Sequence, residues 1–263
     1  MEGRIPMRVT VLGLGEAGTI YAADLARRGI PVTAVDPYVP VLPDRVGGAS
    51  STGQAVSGAD LVLSLVGAGE AGTVLREALP AMQPMAIYAD MNTASPAEKQ
   101  RLALRAEDCA IAFVDVAILA PVPRARLETP VVLSGTGTDR LLAIFTSWGI
   151  PATVADGGAG AAAGLKLLRS VFMKGLAASV FESVFAARAA GAEDWIIEQI
   201  ASELGPSGHE QVARILQGTS LHALRREAEM RDARSFLEML GTPHPMTDGA
   251  IEWLRSLSRQ DPA

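Results

Sequence analysis

Short apolar runs alternate with stretches of helical periodicity through about the first 155 residues of the chain. Some runs, such as residues 61–66, are almost entirely apolar, which is typical of strands buried on both faces of a parallel sheet. The helical stretches carry start and stop signals: Ser95 is a good N-cap, Pro96 takes the first helical position, and Gly29 closes an earlier helix. This alternation predicts an α/β domain with a doubly wound, parallel, Rossmann-type sheet.

The pattern changes after residue 156. Residues 165–190 contain no proline, and Gly175 is their only glycine, so they predict one long helix. Only helical patterns follow it. We therefore predict a Rossmann domain over residues 1–156 and an all-α domain over residues 157–263, joined by the long helix. The apolar surface of that helix exceeds what its own domain can cover, which predicts a homodimer interface in the helical domain.

Composition limits the expected partners and compartment. Hydrophobic residues make up 49% of the 263 positions, charged residues 20%, and the net charge is −6. Because no basic patch is concentrated, neither nucleic acid nor a membrane is an expected partner. The single cysteine, Cys109, excludes an intrachain disulfide and favours a reducing compartment. With no apolar leader and no run of membrane-spanning length, we expect a soluble, cytoplasmic protein. The spacing of His, Cys and acidic residues predicts no metal site.

A glycine turn follows the first apolar run. Gly13, Gly15 and Gly18 form the pattern G-x-G-x-x-G between a predicted strand and a predicted helix. In such turns the first glycine makes the tight bend, the second admits a pyrophosphate, and the third lets helix and strand pack closely. The helix N-terminus then offers N–H groups and a positive dipole end to the phosphates. An ordinary glycine turn that binds nothing is the alternative, but the flanking elements favour a dinucleotide site.

The other cofactor contacts are expected where neighbouring strands end. In a parallel sheet the carboxyl ends of the strands lie at one edge, and ligands bind in the crevice there. The predicted cofactor-binding residues are Gly13, Leu14, Gly15, Glu16, Ala17 and Gly18 in the turn, Asp36 after the second strand, and Leu65, Val66, Asn92 and Thr93 at the ends of later strands.

Asp36 indicates which dinucleotide is bound. It follows Gly18 by 18 positions, close to the roughly 20 expected for the acid that bonds a ribose 2′-hydroxyl. No Arg or Lys follows Asp36 within several residues, so a 2′-phosphate would meet a negative charge and no cation. The expected cofactor is therefore NAD or NADP, with NAD favoured.

Four sequence blocks, in this order, resemble the β-hydroxyacid dehydrogenases, the relatives of 3-hydroxyisobutyrate and 6-phosphogluconate dehydrogenase. The blocks are GLGEAG, DMNTASP, FVDVA and GAAAGLK, and the resemblance covers roughly residues 7–190. It is closer to a bacterial subgroup of phosphogluconate dehydrogenase-like NAD-binding proteins with a short C-terminal domain. The resemblance implies hydride transfer between nicotinamide and the alcohol or carbonyl carbon of a small, anionic hydroxyacid-like substrate, in a two-domain dimer.

The resemblance also implies roles for single residues. Lys166 stands at the position of the family's catalytic lysine, and Thr93 is retained beside the expected nicotinamide, while Asn92 replaces a serine. The substrate block has lost its serine and both glycines, and the two asparagines after the lysine are replaced. The predicted substrate-binding residues are accordingly Thr93, Leu119 in the serine's place, and Arg169 and Ser170 in the places of the asparagines.

Lys166 also makes sense from its surroundings. It lies just inside the N-terminus of a long helix, among Ala, Gly and Leu. Desolvation and the positive helix end both disfavour its charged form, which suits a group that exchanges a proton with a substrate hydroxyl. A solvated lysine at a helix start is the alternative. Arg169, three residues on, suits a clamp for a carboxylate or phosphate, or equally a salt bridge in a dimer interface.

Two other functions stay open at this point. The lost serine and asparagines favour a dinucleotide-binding sensor or subunit without turnover. Imine reductases form a side branch of the same family, but Lys166 argues mildly against imine reduction because those enzymes usually replace this lysine.

Overall fold

The computed structural model describes residues 7–67 and 69–259. The chain divides into two compact units, Met1–Lys166 and Leu167–Ala263. The sequence places the domain boundary before the long helix, at residues 156 and 157, whereas the two units divide inside that helix.

One eight-stranded sheet forms the centre of the described part of the first unit. The spatial order is β3-β2-β1-β4-β5-β6-β7-β8, so the chain moves outward from β1 on one side and then crosses back over β1 to start β4. Ligands of doubly wound sheets bind at such a reversal, beyond the carboxyl ends of the strands. The strands are β1 (Val9–Leu12), β2 (Val32–Val35), β3 (Gly47–Gly48), β4 (Leu61–Ser64), β5 (Ile87–Asp90), β6 (Ala112–Ile118), β7 (Val131–Gly135) and β8 (Ala152–Val154).

Helices cover both faces of this sheet. They are α1 (Glu16–Arg27), α2 (Thr52–Val56), α3 (Ala71–Ala78), α4 (Pro96–Glu107), α5 (Val122–Ala125) and α6 (Thr138–Ser147), with 3₁₀ turns at Leu79–Ala81 and Arg126–Glu128. Successive strand residues point to opposite faces, and Val11 packs with Leu25 of α1 and with α6, whereas Leu12 packs with Leu75 of α3 and with α2 and α4. The predicted doubly wound Rossmann-type architecture is thereby confirmed.

One strand departs from the predicted parallel sheet. β7 runs antiparallel to β6, with Ile118 opposite Val131, while the other neighbouring pairs are parallel. A parallel return needs a crossover that is usually a full helix. Residues 119–130 supply only the four-residue α5 and a 3₁₀ turn, so β7 turns back alongside β6.

The second unit is helical throughout its described residues. Helix α7 (Ala161–Ala189) begins in the first unit and continues into the second, where it is followed by α8 (Glu193–Glu203), α9 (Gly208–Leu221), α10 (Ala223–Met239) and α11 (Pro245–Ser258). Phe181 and Val184 of α7 pack against Val212 and Ile215 of α9. A second cluster joins α10 and α11 through residues such as Met230 and Leu254. The predicted all-α C-terminal region and its long helix are confirmed.

Helix α7 is long and apolar enough to cross a membrane, judged by length and composition alone. The expectation that no run reaches membrane-spanning length is therefore wrong for this helix. Core helices of soluble proteins satisfy the same criterion, and in the second unit α7 buries Ala177, Val180, Phe181 and Val184 within that unit's own core. Lys174 and Glu182 also lie within this helix.

Candidate cofactor and catalytic site

The fold requires glycine at two positions of the turn between β1 and α1. Gly13 has a positive φ of 89°, and a Cβ there would lie 2.6 Å from the carbonyl oxygen of Leu65 and 2.9 Å from a methyl group of Val66. A Cβ at Gly18 would lie 2.0 Å from the carbonyl oxygen of Gly13. Both glycines therefore let the turn pack directly against the end of β4 and against the start of α1.

Gly15 is different, because a Cβ built there would meet no atom within 4 Å. Gly15 is the N-cap of α1 and no side chain caps this helix end. The first hydrogen bond of the helix runs from Thr19 N to the Gly15 carbonyl oxygen and is 3.0 Å long. The N–H groups of Glu16, Ala17 and Gly18 lie before it and have no acceptor within the helix. This open helix N-terminus suits an anion, and the turn therefore fits the pyrophosphate of a dinucleotide.

Asp36 lies beside the turn, at the end of β2. One of its carboxylate oxygens accepts a hydrogen bond from Leu14 N (2.7 Å), and the other accepts one from Tyr38 N (2.8 Å). The carboxylate thus fixes the turn, and its contact with a ribose stays a prediction. Because β2, β1, β4 and β5 are adjacent parallel strands, the structure brings the turn, Asp36, Leu65 with Val66, and Thr93 to one edge of the sheet.

Asn92 is buried rather than open to the crevice. Its side-chain nitrogen donates to Ser64 Oγ (3.0 Å) and to Asp90 Oδ1 (2.6 Å), and its backbone N–H donates to the same Asp90 oxygen (3.0 Å). Asn92 therefore ties the loop after β5 to the ends of β4 and β5. A direct contact with the cofactor stays a prediction for this residue.

Thr93 and Lys166 meet at this edge. The Lys166 Nζ donates to Thr93 Oγ1 at 3.3 Å. Thr93 is exposed and Lys166 is half-buried near the start of α7. The structure thus places an ammonium group and a hydroxyl group together in the first unit, at the edge of the sheet that also carries the glycine turn.

A buried ionic group, which was not among the predicted site residues, adjoins the segments that carry this pair. Asp90 of β5 and Asp115 of β6 are directly paired across the two strands, and both are 0% exposed. Like charges in such a cross-strand pair repel each other. Lys99 of α4, 1% exposed, lies between them, with Nζ 3.3 Å from Asp90 Oδ2 and 3.2 Å from Asp115 Oδ1.

Electrostatics at Asp90 follow from this burial. Desolvation raises the pKa of the Asp90 carboxyl and is the largest effect. The Lys99 ammonium and the Asn92 N–H lower that pKa, and the charge of Asp115 raises it further. The net result is a pKa of the Asp90 carboxyl above its ordinary value.

Asp115 also caps helix α7. Its Oδ2 accepts from the backbone N–H groups of Gly160 (3.1 Å) and Ala163 (2.9 Å). The hydroxyl oxygen of Ser134 accepts from Ala162 N at 3.0 Å. These bonds satisfy donors that a helix N-terminus leaves open. The first turn of α7, and with it Lys166, is therefore anchored to the strands.

Gly160 lets α7 begin close to α4. Its φ is +97°, and a Cβ there would lie 2.6 Å from the carbonyl oxygen of Pro96, the first residue of α4. The starts of the two helices therefore touch, one turn before Lys99.

A signal for Lys99 does exist in the sequence. The buried residues of α4 are Pro96, Lys99, Leu102 and Ala106, which share one face at helical spacing. A lysine on an apolar helix face indicates a buried acidic partner, since an unpaired buried charge is strongly disfavoured.

The remaining predicted substrate residues are placed as follows. Leu119 follows β6, is half-buried, and packs against the cluster of Ala117 and Val132. Arg169 is exposed and Ser170 is buried, and both belong to the second unit. Ser170 Oγ accepts from Lys174 Nζ at 3.1 Å. Their contacts with a substrate stay predictions.

Among the described residues, no group of three or more His, Cys, Asp or Glu side chains is arranged to hold a metal ion.

Two protein-family models match the chain. A family model described as the NAD binding domain of 6-phosphogluconate dehydrogenase matches residues 8–149. A second model, a domain of unknown function (DUF1932), matches residues 187–257. The first match covers the whole sheet except β8, together with the glycine turn.

Individual relatives show the same likeness. An uncharacterized 28.5 kDa protein in the 7S RNA 5′ region of Methanothermus fervidus is 28% identical over 151 residues, which are 57% of this chain and 58% of that protein. A conserved hypothetical protein from Sinorhizobium meliloti 1021 is 25% identical, with a TM-score of 0.78 over 98% of this chain and 92% of that one. The 3-hydroxyisobutyrate dehydrogenase of Mycobacterium tuberculosis, solved with L-serine, shares the fold: its TM-score is 0.81 at 18% identity, over 97% of this chain and 94% of that one.

Proposed function

The chain belongs to the 6-phosphogluconate dehydrogenase NAD-binding family, and from this premise we propose that it is an NAD(P)-dependent oxidoreductase. Its substrate would be a small, anionic, hydroxyacid-like molecule that reacts at an alcohol or carbonyl carbon. The observation that carries the proposal is the 3.3 Å contact of Lys166 Nζ with Thr93 Oγ1, at the edge of the sheet that also carries the glycine turn.

The turn would hold the cofactor. When bound, the nicotinamide supplies the hydride chemistry of the reaction. The open N-terminus of α1 at Gly15 suits the pyrophosphate, and Asp36 suits a ribose diol. We propose NAD rather than NADP, because the Asp36 carboxylate at the end of β2 would repel a 2′-phosphate.

Lys166 would act as the acid and base. A substrate oxygen beside Thr93 lies within reach of Lys166 Nζ. In oxidation, the neutral amine form of Lys166 takes the proton of the substrate hydroxyl, and in reduction the ammonium form gives a proton to the carbonyl oxygen. General acid–base catalysis of this kind contributes about 10²–10⁴-fold to a rate.

The substrate contacts are proposed from side-chain chemistry. Arg169, which follows Lys166 on the same helix, can hold a carboxylate or phosphate by two parallel hydrogen bonds. Leu119 offers an apolar side chain and Ser170 a hydroxyl. Loss of the family's serine and glycines at residues 119–121 favours a substrate less polar than the family's common hydroxyacids.

A homodimer is the proposed assembly. On α7, Leu168 is 41% exposed and Phe172 is 68% exposed, and exposed apolar side chains on one helix favour a protein partner. We propose that a second copy of the chain covers them. The net charge of −6 and the lone Cys109 support a cytoplasmic location without nucleic acid or membrane as partner.

A dinucleotide-binding sensor without turnover is the second candidate. It is favoured by Ser170, which is buried and hydrogen-bonded to Lys174 in the second unit. One experiment separates the two: calorimetric titration of the full chain with NAD⁺ and NADP⁺, then absorbance of the reduced cofactor with panels of hydroxyacids, carbonyl compounds and imines.

We expect binding of NAD⁺ and turnover of at least one hydroxyacid. Binding without turnover in any panel would support the sensor, and turnover of imines alone would support imine reduction. If folded protein takes up neither dinucleotide, both the oxidoreductase and the sensor are excluded.

A further inference from the structure

Lys99 connects the two segments that carry Thr93 and Lys166. We propose that Lys99 is a positioning residue, which holds the hydroxyl of Thr93 and the ammonium of Lys166 at their working separation through Asp90 and Asp115. This inference rests on the proposed function for its catalytic consequence, but its geometry stands on contacts within the first unit.

The connection to Thr93 runs through Asp90. Lys99 Nζ donates to the backbone carbonyl of Asp90 at 2.9 Å and pairs with Asp90 Oδ2 at 3.3 Å. The other oxygen of the same carboxylate accepts from both the backbone and the side chain of Asn92. Asn92 directly precedes Thr93, so the ammonium of Lys99 fixes the end of β5 and the loop that presents Thr93.

The connection to Lys166 runs through Asp115. Lys99 Nζ lies 3.2 Å from Asp115 Oδ1, while Oδ2 of the same carboxylate accepts from Gly160 N and Ala163 N. Ala163 is one helical turn before Lys166. Each carboxylate therefore uses one oxygen for Lys99 and the other for the segment that carries a candidate site residue.

Stability alone does not explain a buried lysine here. Replacing buried ion pairs by well-packed apolar residues of similar volume is often neutral or stabilising. In β5 and β6, Asp90 and Asp115 follow buried apolar residues such as Ala89 and Val114. Apolar side chains could therefore also occupy the positions of the two aspartates. Charged groups at these positions instead give directed bonds to two separate loops, which apolar side chains cannot make.

Lys99 does not act on a substrate itself. It is 1% exposed, and its ammonium contacts the two carboxylates and one carbonyl oxygen. Its effect must pass through the two aspartates, so replacing it changes geometry at Lys166 without removing a reacting group.

The test compares Lys99→Met with Leu102→Ala. Leu102 lies on the same buried face of α4, one turn further on, and packs in an apolar cluster. Both substitutions are expected to lower the melting temperature. Only Lys99→Met is expected to lower kcat, by about 10- to 100-fold at a temperature where both variants are folded, with the KM for cofactor unchanged.

A second measurement does not need activity. The chain has three lysines, Lys99, Lys166 and Lys174, so selective isotope labelling of lysine gives a simple NMR spectrum that single substitutions assign. We expect the side-chain signal of Lys166 to shift in Lys99→Met, because its hydrogen bond to Thr93 Oγ1 is disturbed. In Leu102→Ala the Lys166 signal should stay as in the unmodified protein, and the Lys174 signal should stay constant in both variants.

The two measurements separate failure of the inference from failure of the proposed function. If no substrate is turned over but the Lys166 signal shifts only in Lys99→Met, the positioning role stands and the oxidoreductase proposal does not. An unchanged Lys166 signal in folded Lys99→Met overturns the inference, as does an equal shift in Leu102→Ala. If Lys99→Met does not fold, the triple variant Lys99→Met, Asp90→Asn, Asp115→Asn removes the uncompensated charges. Its Lys166 signal is also expected to shift, and an unchanged signal would overturn the inference.

Discussion

Lys166 donates a hydrogen bond to Thr93 across 73 positions of sequence, at 3.3 Å. Thr93 follows β5 and Lys166 lies in the first turns of α7, which Asp115 of the neighbouring strand β6 caps. The contact therefore depends on how the sheet orders β5 and β6 and on where α7 starts. It joins the two groups that the proposed reaction needs at the substrate oxygen.

Replacing Lys166 should abolish turnover without abolishing cofactor binding. We expect Lys166→Ala to lower kcat by about 10²–10⁴-fold, because no other group would exchange the substrate proton. Lys166→Arg should also be slow, since an arginine holds its proton at any working pH. Steady-state kinetics and NAD⁺ titration measure both effects. Arg105→Ala, on the exposed side of α4, is the matched control. Full activity of Lys166→Ala would contradict the assignment.

Two glycines of the turn, Gly15 and Gly18, should respond differently to alanine. Gly15→Ala should keep the free energy of unfolding within about 1 kcal/mol, because its Cβ meets open space, yet weaken dinucleotide binding about tenfold or more. Gly18→Ala should destabilise the fold by about 1–3 kcal/mol, because its Cβ would lie 2.0 Å from the Gly13 carbonyl oxygen. Thermal unfolding and calorimetric titration distinguish the two. Unchanged NAD⁺ affinity in Gly15→Ala would argue against a pyrophosphate at this turn.

Substitution of Asp36 should change the choice of cofactor. Asp36→Ala should weaken NAD⁺ binding about tenfold, since the ribose loses a charged hydrogen-bond partner. It should also reduce the preference of the protein for NAD⁺ over NADP⁺, because the 2′-phosphate of NADP⁺ no longer meets a negative charge. Asp36→Asn keeps an oxygen that can accept from Leu14 N, so it separates the charge from support of the turn. Affinities for both dinucleotides give the answer. An unaltered affinity ratio in both variants would remove Asp36 from the ribose site.

Alkaline unfolding should involve two of the three tyrosines. Burial raises the pKa of Tyr21, and burial together with the charge of Asp90 raises the pKa of Tyr88. The unfolded chain releases these phenol protons above about pH 10 while the folded chain keeps them. Stability is therefore fully present below that pH and falls above it, by about 1.4 kcal/mol per pH unit for each tyrosine.

Tyr88→Phe tests this dependence. The variant should unfold at a higher pH than the unmodified protein, as followed by tyrosinate absorbance and circular dichroism. Tyr38→Phe, at a position that is 89% exposed, is the control and should leave the midpoint unchanged. A midpoint equal in all three proteins would mean that Tyr88 ionises without unfolding.

The proposed dimer predicts the effect of a charge on α7. Phe172→Glu should convert a dimer into a monomer of 27.4 kDa, because a carboxylate would be buried against the second copy. Light scattering coupled to size exclusion measures the mass. Leu104→Glu places the same charge at another exposed apolar position, on α4, and should leave the mass unaltered. A monomeric unmodified chain would rule out this assembly.

The order of elements was predictable from the sequence because it depends on local patterns. Apolar runs such as residues 61–66 and the glycines of the first turn fix strands and turns within a few positions, whatever lies around them. The long helix and the absence of strands after it in the described residues also followed from periodicity. Lys166 could be singled out because its block resembles a family; its own surroundings also suit an acid and base but left a solvated lysine open.

The direction of β7 and the identity of the two carboxylates that surround Lys99 were decided by tertiary structure. In the sequence, residues 119–130 resemble an ordinary loop. Only the folded sheet shows that this segment is too short in helix to carry the chain back for a parallel β7. Asp90, Lys99 and Asp115 lie on three separate elements, and nothing in their spacing shows that strand pairing brings the two carboxylates face to face. The sequence by itself therefore determined which elements form and where the dinucleotide turn lies, since both follow from short-range chemistry. Which charges meet in the interior depends on long-range pairing, and only the folded chain reveals it.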